Sequence, residues 1–156
     1  MKYGTILLIF LISSILNFSY SFSEIVSQIG KDYEATNKIK DFSIKSILDE
    51  GASSEGAEIK YYSKNGEIRK IVATYYGESG KRPIEYYLKN NKVYFIYDFI
   101  LYYDGILTGK VAKKEEKRYY FDPDGILVRY IDENKITYED RDILENIEKE
   151  IIYPWD

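Results

Sequence analysis

Apolar residues run almost unbroken from Ile6 to Leu16, interrupted only by Ser13 and Ser14, and no charge falls between Lys2 and Glu24. A run of that length, preceded by a cation and followed by Ser19, Ser21 and Ser23, predicts a cleavable signal peptide over residues 1–23. It is shorter than the ~20 residues that span a bilayer, so no stable membrane span is expected after cleavage. The small-x-small rule allows a cut before Phe22 or before Glu24. Residues 24–156 then form a single domain.

The pattern next changes to Ile25, Val26, Ile29 and Tyr33, with Lys31, Asp32 and Glu34 between them, which predicts an amphipathic helix over residues 24–37 capped by Ser23 or the new terminus. From Phe42 to Leu48 apolar and polar residues alternate, as in a strand, and the small polar stretch 51–56 reads as a loop. Residues 58–138 are rich in Tyr, Ile, Val and Phe and are punctuated by turn residues. Strands are expected near 57–62, 67–76, 83–88, 92–103, 116–121, 126–131 and 135–138. The run 93–103 carries only Asp98 as a charge, so both its faces need cover. Residues 106–116, with five charges, read as a solvated excursion. Ile143, Leu144, Ile147 and Ile151 return to helical spacing after Asp140 and Asp142, and Pro154 is expected to end that helix. The fold class that follows is α+β: a strongly twisted antiparallel meander sheet of six to eight strands with one N-terminal and one C-terminal helix.

One phrase recurs within the strands: Tyr61-Tyr62-Ser63-Lys64-Asn65-Gly66-Glu67-Ile68, then Tyr86-Tyr87-Leu88-Lys89-Asn90-Asn91-Lys92-Val93, then Tyr119-Tyr120-Phe121-Asp122-Pro123-Asp124-Gly125-Ile126. Asn-Gly, Asn-Asn and Asp-Gly tolerate the positive φ of a tight hairpin turn, which is a mechanical reason for the phrase to recur. The copies are unequally spaced, which favours one continuous meander over a solenoid.

Composition narrows the chemistry. With no Cys and no His there are no disulfides, thiolate ligands, thiol nucleophiles, imidazole bases or imidazole metal sites. No cofactor or metal is therefore expected. Of 22 Lys and Arg only Lys2 leaves with the signal segment, so 26 acidic side chains outnumber 21 basic ones in the mature chain. That balance argues against nucleic acid, whose phosphates require a concentrated basic surface.

The chain holds 18 Tyr. The pairs Tyr61/Tyr62, Tyr86/Tyr87 and Tyr119/Tyr120 place one ring on each side of a strand, so one member of each is expected in the core and the other on a shared outer face. Such a face could stack on sugars or hold a protein. The structural reading, cross-strand aromatic pairs that stabilise the sheet, is favoured. Asp122-Pro123-Asp124-Gly125 reads as a hairpin turn, since the oxygen ligands and closing Glu of a calcium loop are missing. Glu115/Glu116 and Asp132/Glu133 are adjacent and would point to opposite faces, which does not suit a glycosidase pair. Trp155 is expected to tuck the C-terminus onto the sheet.

The Tyr-Tyr-x-Lys-Asn-Gly phrases after a signal segment resemble small exported bacterial proteins and, loosely, MORN-variant hairpin repeats. The resemblance covers residues 58–131 and implies a hairpin-rich fold and an extracytoplasmic address, without a ligand or site residues. The expected function is an exported, non-catalytic binding or structural module, periplasmic or secreted. Its partner would be a protein or a cell-envelope polymer, with Tyr61, Tyr62, Tyr86, Tyr87, Tyr119 and Tyr120 as candidate contacts. Two alternatives are a small carboxylate-based enzyme acting on glycans and a curled sheet that carries a small apolar ligand.

Overall fold

A computed structural model describes residues 21–106 and 108–155. The predicted signal segment, apart from its last three residues, lies outside them. Helix α1 (Phe22–Lys38) precedes β1 (Ser43–Asp49), β2 (Ala57–Lys64), β3 (Glu67–Gly77), β4 (Gly80–Lys89), β5 (Lys92–Tyr103), β6 (Val111–Phe121), β7 (Leu127–Ile131) and β8 (Thr137–Tyr138), and α2 (Arg141–Glu148) follows. The eight strands form one antiparallel sheet in chain order, with β1 and β8 as its two edges. This is the expected α+β meander with a helix at each end.

Helix α1 starts earlier than the apolar spacing indicated. Its cap is Ser21 rather than Ser23, because Ser21 and Glu24 form a capping box: Glu24 N–H donates to Ser21 Oγ (3.4 Å) and Ser21 N–H to the Glu24 carboxylate (2.8 Å). Helix α2 is capped by Asp140, whose carboxylate accepts from the N–H groups of Asp142 and Ile143. It ends at Glu148, well before Pro154. Glu150 and Ile151 donate to the carbonyls of Ile147 and Glu148, so the last turn tightens to three-residue bonds and the chain leaves the helix. Ile151 therefore packs on the core from the tail.

A second correction concerns residues 111–116, which belong to β6 and pair with β5 from Tyr103 to Phe99. Charges sit here because neighbours of opposite sign alternate on each side of the strand. Lys113 pairs with Glu115 (2.6 Å), while Lys114 and Arg118 both pair with Glu116 (3.3 and 2.6 Å). The rings of β5 then receive the lysines: Lys114 Nζ lies 4.7 Å from the Phe99 centroid and Lys113 Nζ 5.6 Å from that of Tyr102. Lys135 adds a further ion pair to Glu116 (2.7 Å), and that hydrogen bond with one from Tyr97 holds the Glu116 carboxyl down at about 2.

Register assigns each side chain to a face. One row runs straight across the sheet as Tyr61, Ile71, Tyr86, Ile96, Tyr119, Tyr130 and Tyr138, and it faces α2 and the C-terminal tail. The adjacent row runs as Tyr62, Lys70, Tyr87, Phe95, Tyr120 and Arg129 and faces α1. Leu144 of α2 and Ile29 of α1 are the buried anchors, at 2% and 5% exposure. The apolar run in β5 is thus covered on both sides, as its composition requires. Trp155 does lean on the core, 5.2 Å from the Tyr86 ring and edge-on, though 44% of it stays exposed.

Each Tyr-Tyr phrase is followed at once by a bulge. Register shifts occur at Tyr62/Ser63, Tyr87/Leu88 and Tyr120/Phe121, and the extra residues on the returning strands are Arg69, Tyr94 and Val128. The repeat thus encodes a bulged hairpin three times over. Its turns show the expected backbone: φ is 54° at Asn65, 79° at Gly66, 52° and 60° at Asn90 and Asn91, and 89° at Gly125. Asn65→Val and Gly125→Val will each lower the urea midpoint, at a cost of about 1–3 kcal/mol, because a β-branched residue is strained at positive φ. Gly80 is needed for a different reason. A Cβ there would collide with the Leu101 carbonyl oxygen on β5. Gly80→Ala should therefore cost about 1–3 kcal/mol by overpacking, and loss of amide protection at the β4–β5 end would localise the damage.

Candidate functional site

The tyrosines chosen from the sequence are placed in two orderly sets. Tyr61, Tyr86 and Tyr119 share the α2 face, and Tyr62, Tyr87 and Tyr120 share the α1 face. The period of two thus sends equivalent rings to the same side, as expected. The second expectation, a free outer set, does not hold. Tyr86 and Tyr87 are both fully buried and Tyr119 nearly so, while Tyr61, Tyr62 and Tyr120 are half-buried. Helix α1 lies across the second set, with the Tyr33 ring 4.9 Å from Tyr87 and 5.4 Å from Phe95. Tyr62 meets Phe42 edge-on at 5.6 Å, and Tyr120 lies between Phe95 and the Arg129 guanidinium. A single strand pair cannot reveal this, because a distant helix supplies the cover.

Burial also sets the chemistry of these rings. It raises the phenol pKa of Tyr86, Tyr87 and Tyr119, and Glu85 beside Tyr87 adds to the effect. Tyr130 is pushed up to about 12 by burial, with Glu133 and Asp132 adding to it. All remain neutral hydrogen-bonding groups near neutral pH. Tyr87 Oη donates to Glu85 (2.6 Å) and accepts from Lys70 (2.9 Å), so a buried hydroxyl is satisfied under α1.

Asp122, Asp132, Glu115 and Glu116 are engaged within the fold. Asp122 accepts from the N–H groups of Asp124 and Ile126, and Asp132 accepts from those of Asn134 and Ile136 in a matching turn. Burial raises the Asp132 pKa, but these amides and the Tyr138 hydroxyl outweigh it and hold the carboxyl below its usual value. Glu115 and Glu116 part to opposite faces, the first receiving Tyr102 and the second Tyr97. Among the described residues no group of three acidic side chains converges as a metal site would require.

A concavity lies beside the first turns of α1. It has a volume of about 820 Å³ and is walled by the helix from Ser23 to Asp32, by the β4–β5 turn and by the end of β6. Ile25, Ile29, Val93, Tyr94, Phe121 and Pro123 supply its apolar lining. Tyr94 reaches it through the bulge: Phe95 faces α1 by the pleat, and the extra residue before it is turned to the same side, where its hydroxyl and Thr36 Oγ1 are 3.3 Å apart. In the sequence Val93 and Tyr94 stand only as part of the apolar run 93–103 that needs cover on both faces. Of residues 93–101, these two alone line the cleft.

Its rim is polar. Lys89 closes one side on Asp32 (2.9 Å), Gln28 donates to the same carboxylate, and Lys92 donates to the Pro123 carbonyl (3.2 Å). Glu24 is engaged by Ser21, whose backbone and side-chain hydrogen bonds lower its pKa. Lys31 has no ion pair among the described residues. A smaller recess of about 460 Å³ lies at the other end of α1, over Tyr87, Tyr97 and Phe99. It is more open, and the Lys70–Glu85 pair (3.0 Å) and cations above the Tyr97 ring fill much of its polar capacity.

No family model, curated protein or solved structure matches the chain. No helix among the described residues is long and apolar enough to cross a membrane.

Proposed function

We propose that the protein is an exported, non-catalytic binding module that holds a small amphipathic molecule in the cleft between α1 and the hairpin ends. The observation that carries this reading is the cleft itself, about 820 Å³ with an apolar floor and a charged rim. Sites for small ligands share that size and makeup. An apolar body would lie on Ile25, Val93 and Phe121, and an anionic head would find Lys31, whose charge is uncommitted. The absence of Cys and His, and the engagement of Asp32 in an ion pair and of Asp122 in a turn, supports binding over catalysis. Export rests on the apolar run Ile6 to Leu16 and the small residues after it.

Titration of residues 24–156, or of 22–156, with dansyl-labelled undecanoic acid tests the reading. Saturable fluorescence enhancement is expected from the wild type. Ile25→Glu, which sets a carboxylate into the half-buried floor, should weaken binding by about tenfold or more, equivalent to ~1.4 kcal/mol. Leu48→Glu, far from the cleft on β1, should leave it unchanged. A wild type without saturable enhancement, or equal binding by Ile25→Glu, refutes the cleft as the site.

A further inference from the structure

Strand β1 is an edge with little of the usual protection. All seven of its residues are exposed, and its apolar side chains are left in water: Ile44 is 57%, Ile47 41% and Leu48 75% exposed. Natural edges are blunted by shortness, edge charges, proline, bulges or inward charges, and of these β1 carries only the edge charges Lys45 and Asp49. The opposite edge, β8, is only two residues long. By contrast β1 pairs with β2 over its full length with no shift of register and contains neither Gly nor Pro, so its outer row of backbone groups forms an unbroken template.

The side chains of β1 are complementary to themselves. We propose that two copies of this chain join edge to edge through β1, antiparallel, about a dyad that passes beside Ser46. In that register Ile44 of each copy lies opposite Leu48 of the other, which covers the two most exposed apolar residues of the strand on the α1 face. Ser46 meets Ser46. On the other face Lys45, which makes no ion pair among the described residues, lies opposite Ile47 of the second copy and diagonal to both its Lys45 and its Asp49, a carboxylate that accepts from the Gly51 amide (3.0 Å). Neighbouring registers are worse matched. A dyad at Lys45 sets like charges opposite each other, and a dyad at Ile47, although it sets Lys45 opposite Asp49, sets Ile44 against Glu50 and Leu48 against Ser46 and so leaves the two most exposed apolar residues without an apolar partner. The interface is isologous and closes at two copies, which continues the sheet from eight strands into sixteen without leaving β1 open.

The natural lack of cysteine makes the test clean. Ser46→Cys places its only thiols opposite each other across the dyad, where cross-strand Cβ atoms stand ~4.5–5.5 Å apart, near disulfide reach. Mild oxidation of Ser46→Cys should give a covalent dimer, while Thr137→Cys on β8 stays monomeric. Sedimentation equilibrium of the wild type should show a reversible rise to twice the monomer mass with concentration. Leu48→Lys should abolish that rise while the melting temperature of the monomer is kept. A wild type that remains monomeric at its solubility limit overturns the proposal. Faster crosslinking of Ile47→Cys than of Ser46→Cys overturns the register.

Discussion

Arg82→Met will destabilise the domain by about 3 kcal/mol, and adding Asp98→Leu will restore most of that loss. Asp98 is the one charge in the apolar run of β5, and its side chain is only 4% exposed. It survives there because Arg82 grips it with two parallel hydrogen bonds, Nε to Oδ1 at 3.0 Å and Nη2 to Oδ2 at 2.7 Å. Removing the cation strands a carboxylate against Ile84 and among the rings of Tyr86 and Tyr119. Breaking a buried pair typically costs ~3–5 kcal/mol, whereas replacing both partners by apolar groups is nearly neutral. The lower end applies because the Arg82 side chain is 35% exposed. Chemical denaturation of the two single variants and the double variant measures the coupling. A single-variant loss within about 0.5 kcal/mol would place the pair among ordinary surface bridges.

The other large effect is expected at Tyr87. Tyr87→Ala empties a fully buried site beneath α1, touched by the rings of Tyr33, Tyr94 and Phe95. Large-to-small changes of an aromatic core residue cost ~3–5 kcal/mol. Helix α1 should loosen first, since Ile29, Tyr33 and the ring of Tyr87 belong to one cluster separate from that under α2. Faster proteolysis within residues 22–38, ahead of global unfolding, is the specific readout. Tyr87→Phe keeps the packing and removes only the hydroxyl bonded to Glu85 and Lys70, so a smaller loss of about 1 kcal/mol is expected. If Tyr87→Ala leaves α1 equally protected, the ring does not anchor the helix.

Much of the strand map could be read directly. Asn65-Gly66 and Asn90-Asn91 mark turns because few other residues adopt positive φ cheaply, and the alternation around them leaves little freedom in strand length. The charges of residues 111–116 suggest a solvated excursion, yet these residues pair with β5. A strand carries charges where its neighbour's aromatic rings and its own opposite-sign residues receive them, and that neighbour is found only by pairing. Asp98 stood out in the sequence as an oddity within an apolar run, but its partner Arg82 lies sixteen residues away on β4.

What the sequence determined by itself is the alternation of strands and turns, the two amphipathic helices and the shared faces of the tyrosine pairs. Each of these follows from local rules, the period of a strand or helix and the steric cost of positive φ. Only the tertiary structure decided which tyrosines are covered, because the cover comes from helices at the two ends of the chain. It also decided that a bulge turns Tyr94 toward α1, that a cleft opens beside the helix, and that β1 is left as an open edge. Those features depend on how distant elements meet, and no local pattern of apolar and polar residues encodes a meeting at such separation.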